Sequence, residues 1–148
     1  MFADLLKYTF SADKLIIDVF EKADNALPEA ELLFSHILNA QHIWISRILN
    51  KPHVFDRFDR HNVKEFRALQ LENETQLLHI LNGFNPDQII TYFNIKDKQK
   101  FESRLSDILF HIVNHSTYHR GQVATQFRLN QIDPPITDYV FLKREGLI

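Results

Sequence analysis

Apolar residues recur every three or four positions in four long stretches of this chain, the spacing that gathers them on one face of a helix. The first stretch, about Asp4 to Lys22, carries Leu5, Leu6, Phe10, Ile16, Ile17 and Phe20. The second opens after Pro28, a residue suited to a helix start, and continues to about Leu49. Its stripe is Leu33, Ile37, Ala40, Trp44 and Ile48, and Asn50-Lys51-Pro52 ends it. The third spans about Val63 to Asn82, with Gly83 placed to cap its C-terminus. The fourth runs from a Ser103 cap to about Asn130 along Leu105, Ile108, Ile112, His115, His119, Gln122 and Gln126.

Residues 51–62 interrupt this pattern with an aromatic, charged connection, long enough to be either functional or an ordered crossover. Between Asn85 and Glu102 the residue types change. Ile89 to Phe93 is β-branched and aromatic, a polar turn covers Asn94 to Asp97, and Lys98 to Phe101 follows, which predicts a small β-hairpin. Thr137-Asp138-Tyr139 starts a short final helix. The prediction is an all-α fold: a four-helix bundle with a small hairpin before the last long helix. With 148 residues the chain supports one core, so residues 1–148 are expected to form a single domain.

Composition narrows the chemistry. Only 3 Gly and 5 Pro argue against an all-β fold with many tight turns, and 13 Phe predict an aromatic core. A net charge of −2 gives no electrostatic reason to expect nucleic acid. Cysteine is absent, which excludes disulfides, zinc–thiolate sites, iron–sulfur clusters and a protein thiol nucleophile. No apolar run approaches the roughly 20 residues of a membrane span. The N-terminal segment lacks signal-peptide features, so a cytoplasmic protein is expected.

The fourth helix carries the most informative feature. His111, His115 and His119 follow one another at four-residue steps, and neighbouring imidazoles at that step project from one face. His115 and His119 continue the apolar seam, where unpartnered imidazoles are costly, and one divalent metal ion would satisfy both. A hydrogen-bonded core pair is the rival reading at roughly even odds. His111 lies off the seam centre and reads as outer-shell, substrate-facing or merely polar. The second helix offers a third ligand in His36, beside its apolar stripe, with His42 as the alternative. Arg120 is a candidate for binding an anionic substrate or a carboxylate, although an exposed ion pair is the commoner role for such a residue. Asn114, Thr117 and Gln122 are possible outer-shell partners. Gly121 implies either close backbone approach or simple tolerance. His53, His61 and His79 read as solvated.

Asn114-His115 followed by His119-Arg120-Gly121-Gln122 resembles the C-terminal signature of the DinB-like, damage-inducible metalloprotein family. Ser35 to Trp44 is similar to that family's first ligand region, and Pro134 to Tyr139 to its tail. The resemblance covers nearly the whole chain. It implies a three-histidine site of His36, His115 and His119 for zinc or nickel, a homodimer, and no DNA binding. Some relatives use a low-molecular-weight thiol for transfer or isomerisation, others resemble metal-dependent hydrolases, and many have no established activity.

Three protein ligands leave a coordination position open, where a divalent ion lowers the pKa of water or a thiol. Without cysteine in the chain, any thiol arrives as a cosubstrate. The leading expectation is therefore a metal-dependent S-transferase acting on a small molecule. A metal-dependent hydrolase and a non-catalytic, stress-induced metal-binding or dimerisation module are the alternatives. No His-Glu-x-x-His motif is present, which counts against a zinc peptidase.

Overall fold

The structure is a computed structural model that describes residues 1–94 and 98–148. Its helices are α1 (Phe2–Lys22), α2 (Pro28–Ile48), α3 (Val63–Gly83), α4 (Leu105–Leu129) and α5 (Tyr139–Arg144). Strands β1 (Ile89–Asn94) and β2 (Gln99–Arg104) lie between α3 and α4 and pair antiparallel, from Ile89 opposite Arg104 to Asn94 opposite Gln99. The expected turn from Asn94 to Asp97 falls largely on residues 95–97, outside the described residues. The chain is mostly helical with a small two-stranded sheet, as the periodicity predicts. No helix among the described residues is long and apolar enough to cross a membrane.

Two capping expectations are corrected. Ser103 lies in β2, its hydroxyl 3.2 Å from that of Tyr92, and Arg104 holds the N-cap position of α4 without a side-chain cap bond. Gly83 is the last residue of α3 and has no left-handed backbone; the cap is the extended Phe84. The N-terminus of α3, by contrast, carries a capping box. Asn62 accepts from the Lys64 backbone, and the Glu65 carboxylate accepts from the Asn62 backbone.

Among the long helices, α2 packs against α4 and α3, and α1 against α3 and α4. The apolar interior is divided in two. At one end Phe20, Phe34, Phe66 and Phe127, one from each long helix, meet with Phe20 5.1–5.6 Å from the other three rings. At the other, Leu6, Phe10, Ile45, Leu77, Leu109 and Ile112 pack together with neighbours that include the hairpin's Ile90 and α5's Leu142. The hairpin needs this support, since two isolated strands are marginal in water.

A buried polar layer separates the halves and draws on all four long helices. Arg120 Nη1 donates to Asp13 Oδ1 at 2.8 Å, with Arg120 2% and Asp13 0% exposed. Gln41 Nε2 donates to Asp13 Oδ2 at 2.9 Å and to Ser116 Oγ at 3.2 Å. Asn73 Nδ2 donates to Gln41 Oε1 and to the Leu38 carbonyl. Burial pushes the Asp13 carboxyl above its ordinary range, while Arg120 and Gln41 oppose that push. This layer ties the four long helices to one another through side-chain bonds.

The expected stripes hold at Leu105, Ile108 and Ile112 of α4 and at Ile37 and Ile48 of α2, and depart by one residue elsewhere. The deepest line of α4 runs through Leu105, Leu109, Ile112, Ser116, Arg120, Val123 and Phe127, and that of α2 through Phe34, Ile37, Leu38, Gln41, Ile45 and Ile48. His115 and His119 therefore flank the seam and are half-buried rather than lying within it.

Candidate metal centre

That phase turns the fourth-helix histidines toward α2. His36, His115 and His119 each offer one nitrogen, and the three nitrogens lie within 4.8 Å of one another. Ring centroids are 4.5 Å apart for His36 and His119, 5.0 Å for His36 and His115, and 4.4 Å for His115 and His119. One ion can reach all three. Phe58, from the connection between α2 and α3, stacks on His36 at 5.0 Å.

The hydrogen bonds around the rings select the tautomers a metal requires. His36 Nδ1 donates to the Arg57 carbonyl at 2.8 Å, which leaves Nε2 with its lone pair. His119 Nδ1 lies 2.7 Å from Gln122 Oε1 and donates to it, again freeing Nε2. Such outer partners orient a ligating imidazole and raise its basicity toward the metal. Burial, then the neighbouring His119, His36 and His111, pushes His115 down to about 4. Burial also lowers His36. At neutral pH these two rings are neutral donors, so the donor set fits a divalent ion. Replacing Gln122 by alanine is expected to weaken metal binding by about 10–100-fold, measured by competition with a chelator, whereas Gln122→Glu keeps an acceptor and most of the affinity.

A family model for the DinB family matches residues 8–146. The chain belongs to the DinB family. No curated protein matches the sequence.

The remaining predicted residues of this DinB chain separate into distinct places. His111 lies at the rim, its ring 5.2 Å from Trp44 and 5.5 Å from His115. His42 stands apart from the cluster: its Nε2 accepts from the Val54 backbone at 2.9 Å, and its ring packs on Phe55. Among the described residues it is His36, not His42, that lies with His115 and His119, while the His42 Nε2 holds the connection in place. Of the two partners expected for Arg120, the structure supplies the carboxylate: its guanidinium bonds Asp13 in the interior and the Thr117 hydroxyl, which corrects the expected exposed ion pair to a buried one. Asn114 is exposed. A Cβ added at Gly121 meets nothing within 4 Å, so no close approach explains that glycine.

The connection of residues 51–62 is an ordered crossover clipped along α2. Val54 bonds His42, the Arg57 carbonyl His36, the Asp59 carbonyl Asn39, and the His61 backbone Ser35. His61, expected to be solvated, is half-buried with Nε2 2.5 Å from Asn39 Oδ1. His53 is also half-buried, while His79 is exposed as expected. Between this connection, α2 and β1 lies a cavity of about 940 Å³ with His36 and His115 in its wall. Sequence reasoning missed its other lining residues, notably Trp44, Arg47, Arg57 and Tyr92. The only available signal was the aromatic and basic content of the connection and of the end of α2.

Proposed function

We propose that this DinB protein is a metal-dependent S-transferase that joins a low-molecular-weight thiol to a small electrophile. The observation that carries this reading is the cluster of three imidazoles, two with Nδ1 held by carbonyl groups, opening on a cavity of small-molecule size. In it His36, His115 and His119 would hold zinc or nickel. A divalent ion there supplies a Lewis acid that lowers the pKa of a thiol or water in its open position.

The residues around the site favour a thiol over water. Asp56, the one carboxylate among the described lining residues, is exposed and lies 3.8 Å from His53 rather than among the three histidines. A thiol begins at a pKa of about 8.5 and water near 15.7, so the thiol needs far less help from a protein base. In the transfer a sulfur–carbon bond forms, the electrophile's leaving group departs with its electron pair, and the thiol proton passes to solvent. Trp44 and Tyr92 wall the cavity and exclude water from one side of the reactants.

The same proposal takes residues 1–148 as one domain built on a four-helix bundle and the protein as cytoplasmic and stress-induced. Exposed Phe110 and Tyr118 on α4, together with the family resemblance, support a homodimer. Zinc-loaded protein incubated with chlorodinitrobenzene, with and without added cysteine, tests the activity. Thiol-dependent turnover that falls to background in His115→Ala is expected. Turnover without thiol would replace this reading by hydrolysis, and none with a panel of electrophiles would favour the binding module.

A further inference from the structure

The cavity beside the three histidines has a cationic side that the transferase reading leaves unused. Arg47 stands on α2 with its guanidinium carbon 4.5 Å from the Trp44 ring centroid and 5.0 Å from that of Tyr92. Stacking on two rings holds the planar fork in place while leaving its in-plane N–H groups free to donate. Arg57, across the cavity on the connection, carries its charge on an exposed side chain, and Lys51 adds a third. Among the described residues no carboxylate lies within ion-pair distance of Arg47, Arg57 or Lys51. Several cations elsewhere in the fold are paired, Arg120 with Asp13, Arg67 with Asp18 and Glu21, Lys14 with Glu74 and Lys143 with Asp4, but none of these lines the cavity. Three cations gathered around one concave, partly aromatic surface, with Asp56 the one carboxylate among the described lining residues, make a site complementary to an anion.

We propose that Arg47 and Arg57 bind the oxyanion group of the substrate or thiol cosubstrate, which is a small organic acid whose other end reaches the three histidines. The apolar middle of such a ligand lies along Ile43, Trp44 and Tyr92 in the cavity wall. Arginine recognises carboxylate and phosphate alike through paired N–H donors, so the shared chemistry is an oxyanion on an apolar chain. The inference rests on the transferase reading for what happens at the metal end, but the anion subsite is a property of the protein with or without metal.

Trp44 is the chain's one tryptophan and lines the cavity, so its fluorescence reports occupancy directly. Metal-free and zinc-loaded protein are titrated with hexanoate, hexyl phosphate, hexanol and mercaptohexanoate. One or both oxyanions are expected to bind at least about tenfold more tightly than hexanol, about the contribution of one charge-assisted hydrogen bond. The tighter of the two identifies a carboxylate or a phosphate ligand. Arg47→Gln and Arg57→Gln each reduce that preference, Arg47→Lys retains part of it, and circular dichroism confirms that the variants fold. Zinc tightens mercaptohexanoate alone. Oxyanions that bind no better than hexanol, or a preference surviving both glutamine variants, would overturn the anion subsite. If the oxyanion preference stands in metal-free protein but zinc leaves mercaptohexanoate unchanged, the subsite is upheld and the metal reading is the one that fails.

Discussion

Replacing His115 by alanine is expected to abolish metal uptake while leaving the helices intact. His115 contacts both other candidate ligands, and its loss reduces a three-nitrogen site to two. The fold does not depend on the ring, which is half-buried, and alanine is the better helix former. Elemental analysis after dialysis and far-ultraviolet circular dichroism read the two effects separately. His36→Ala and His119→Ala should behave alike, and His42→Ala should keep its metal. Stoichiometric metal in His115→Ala would end the three-histidine assignment.

The same site has a predictable pH response. Binding requires neutral imidazoles. An ordinary histidine is half-protonated near pH 6.5, whereas His115 is held down to about 4. With His36 also held below the ordinary histidine range, uptake should fail as the pH falls towards 4. For the metal-free protein, the unfolded chain takes up this proton near pH 6.5 and the folded chain only near 4. The contribution of His115 to stability is thus complete above pH 6.5 and lost as the pH falls through that window.

The second large effect concerns Asp13. Asp13→Ala leaves the Arg120 charge buried without its partner, a change that costs about 3–5 kcal/mol. For a chain of this size that corresponds to a fall in melting temperature of roughly 6–20 °C. Removing both charges, as in Asp13→Leu with Arg120→Met, should recover most of the loss, because the buried ion is then absent from both sides. Scanning calorimetry of the single and double variants decides this. A single variant as stable as the parent would show that the pair is not the polar tie it resembles. Metal affinity in the double variant gives a separate readout. If stability returns and affinity stays low, the layer also sets the rotation of α4 that brings His115 and His119 to His36.

That rotation marks the boundary between what pattern and packing each reveal. Asp13 was legible in principle, since it stands in the line of Leu6, Phe10, Ile17 and Phe20, where a carboxylate calls for a buried partner. Arg120 stands in the corresponding line of α4 with the opposite charge. Reading the two lines together would have paired them. Reading α4 alone left the anion of Arg120 open between a substrate and a carboxylate and did not place it in the interior. His61 and His53 were misjudged for a related reason: nothing local shows that the connection folds back along α2 and is bonded to its polar side chains.

By itself the sequence determined the order and kind of the elements, the hairpin ahead of α4, the adjacency of His115 and His119, and the need for any thiol to come from outside the chain. Each follows from short-range spacing or from composition, which the chain carries without reference to its fold. Only the tertiary structure decided which side of each stripe faces inward, since neighbouring residues on a helix differ by about 100° and either can sit beside a broad apolar face. It also brought His36 across from α2, withdrew Arg120 into the interior, and placed Arg47 and Arg57 around a cavity. These arrangements join residues far apart in the chain, and they are set by burial of the apolar halves and by the polar layer between them.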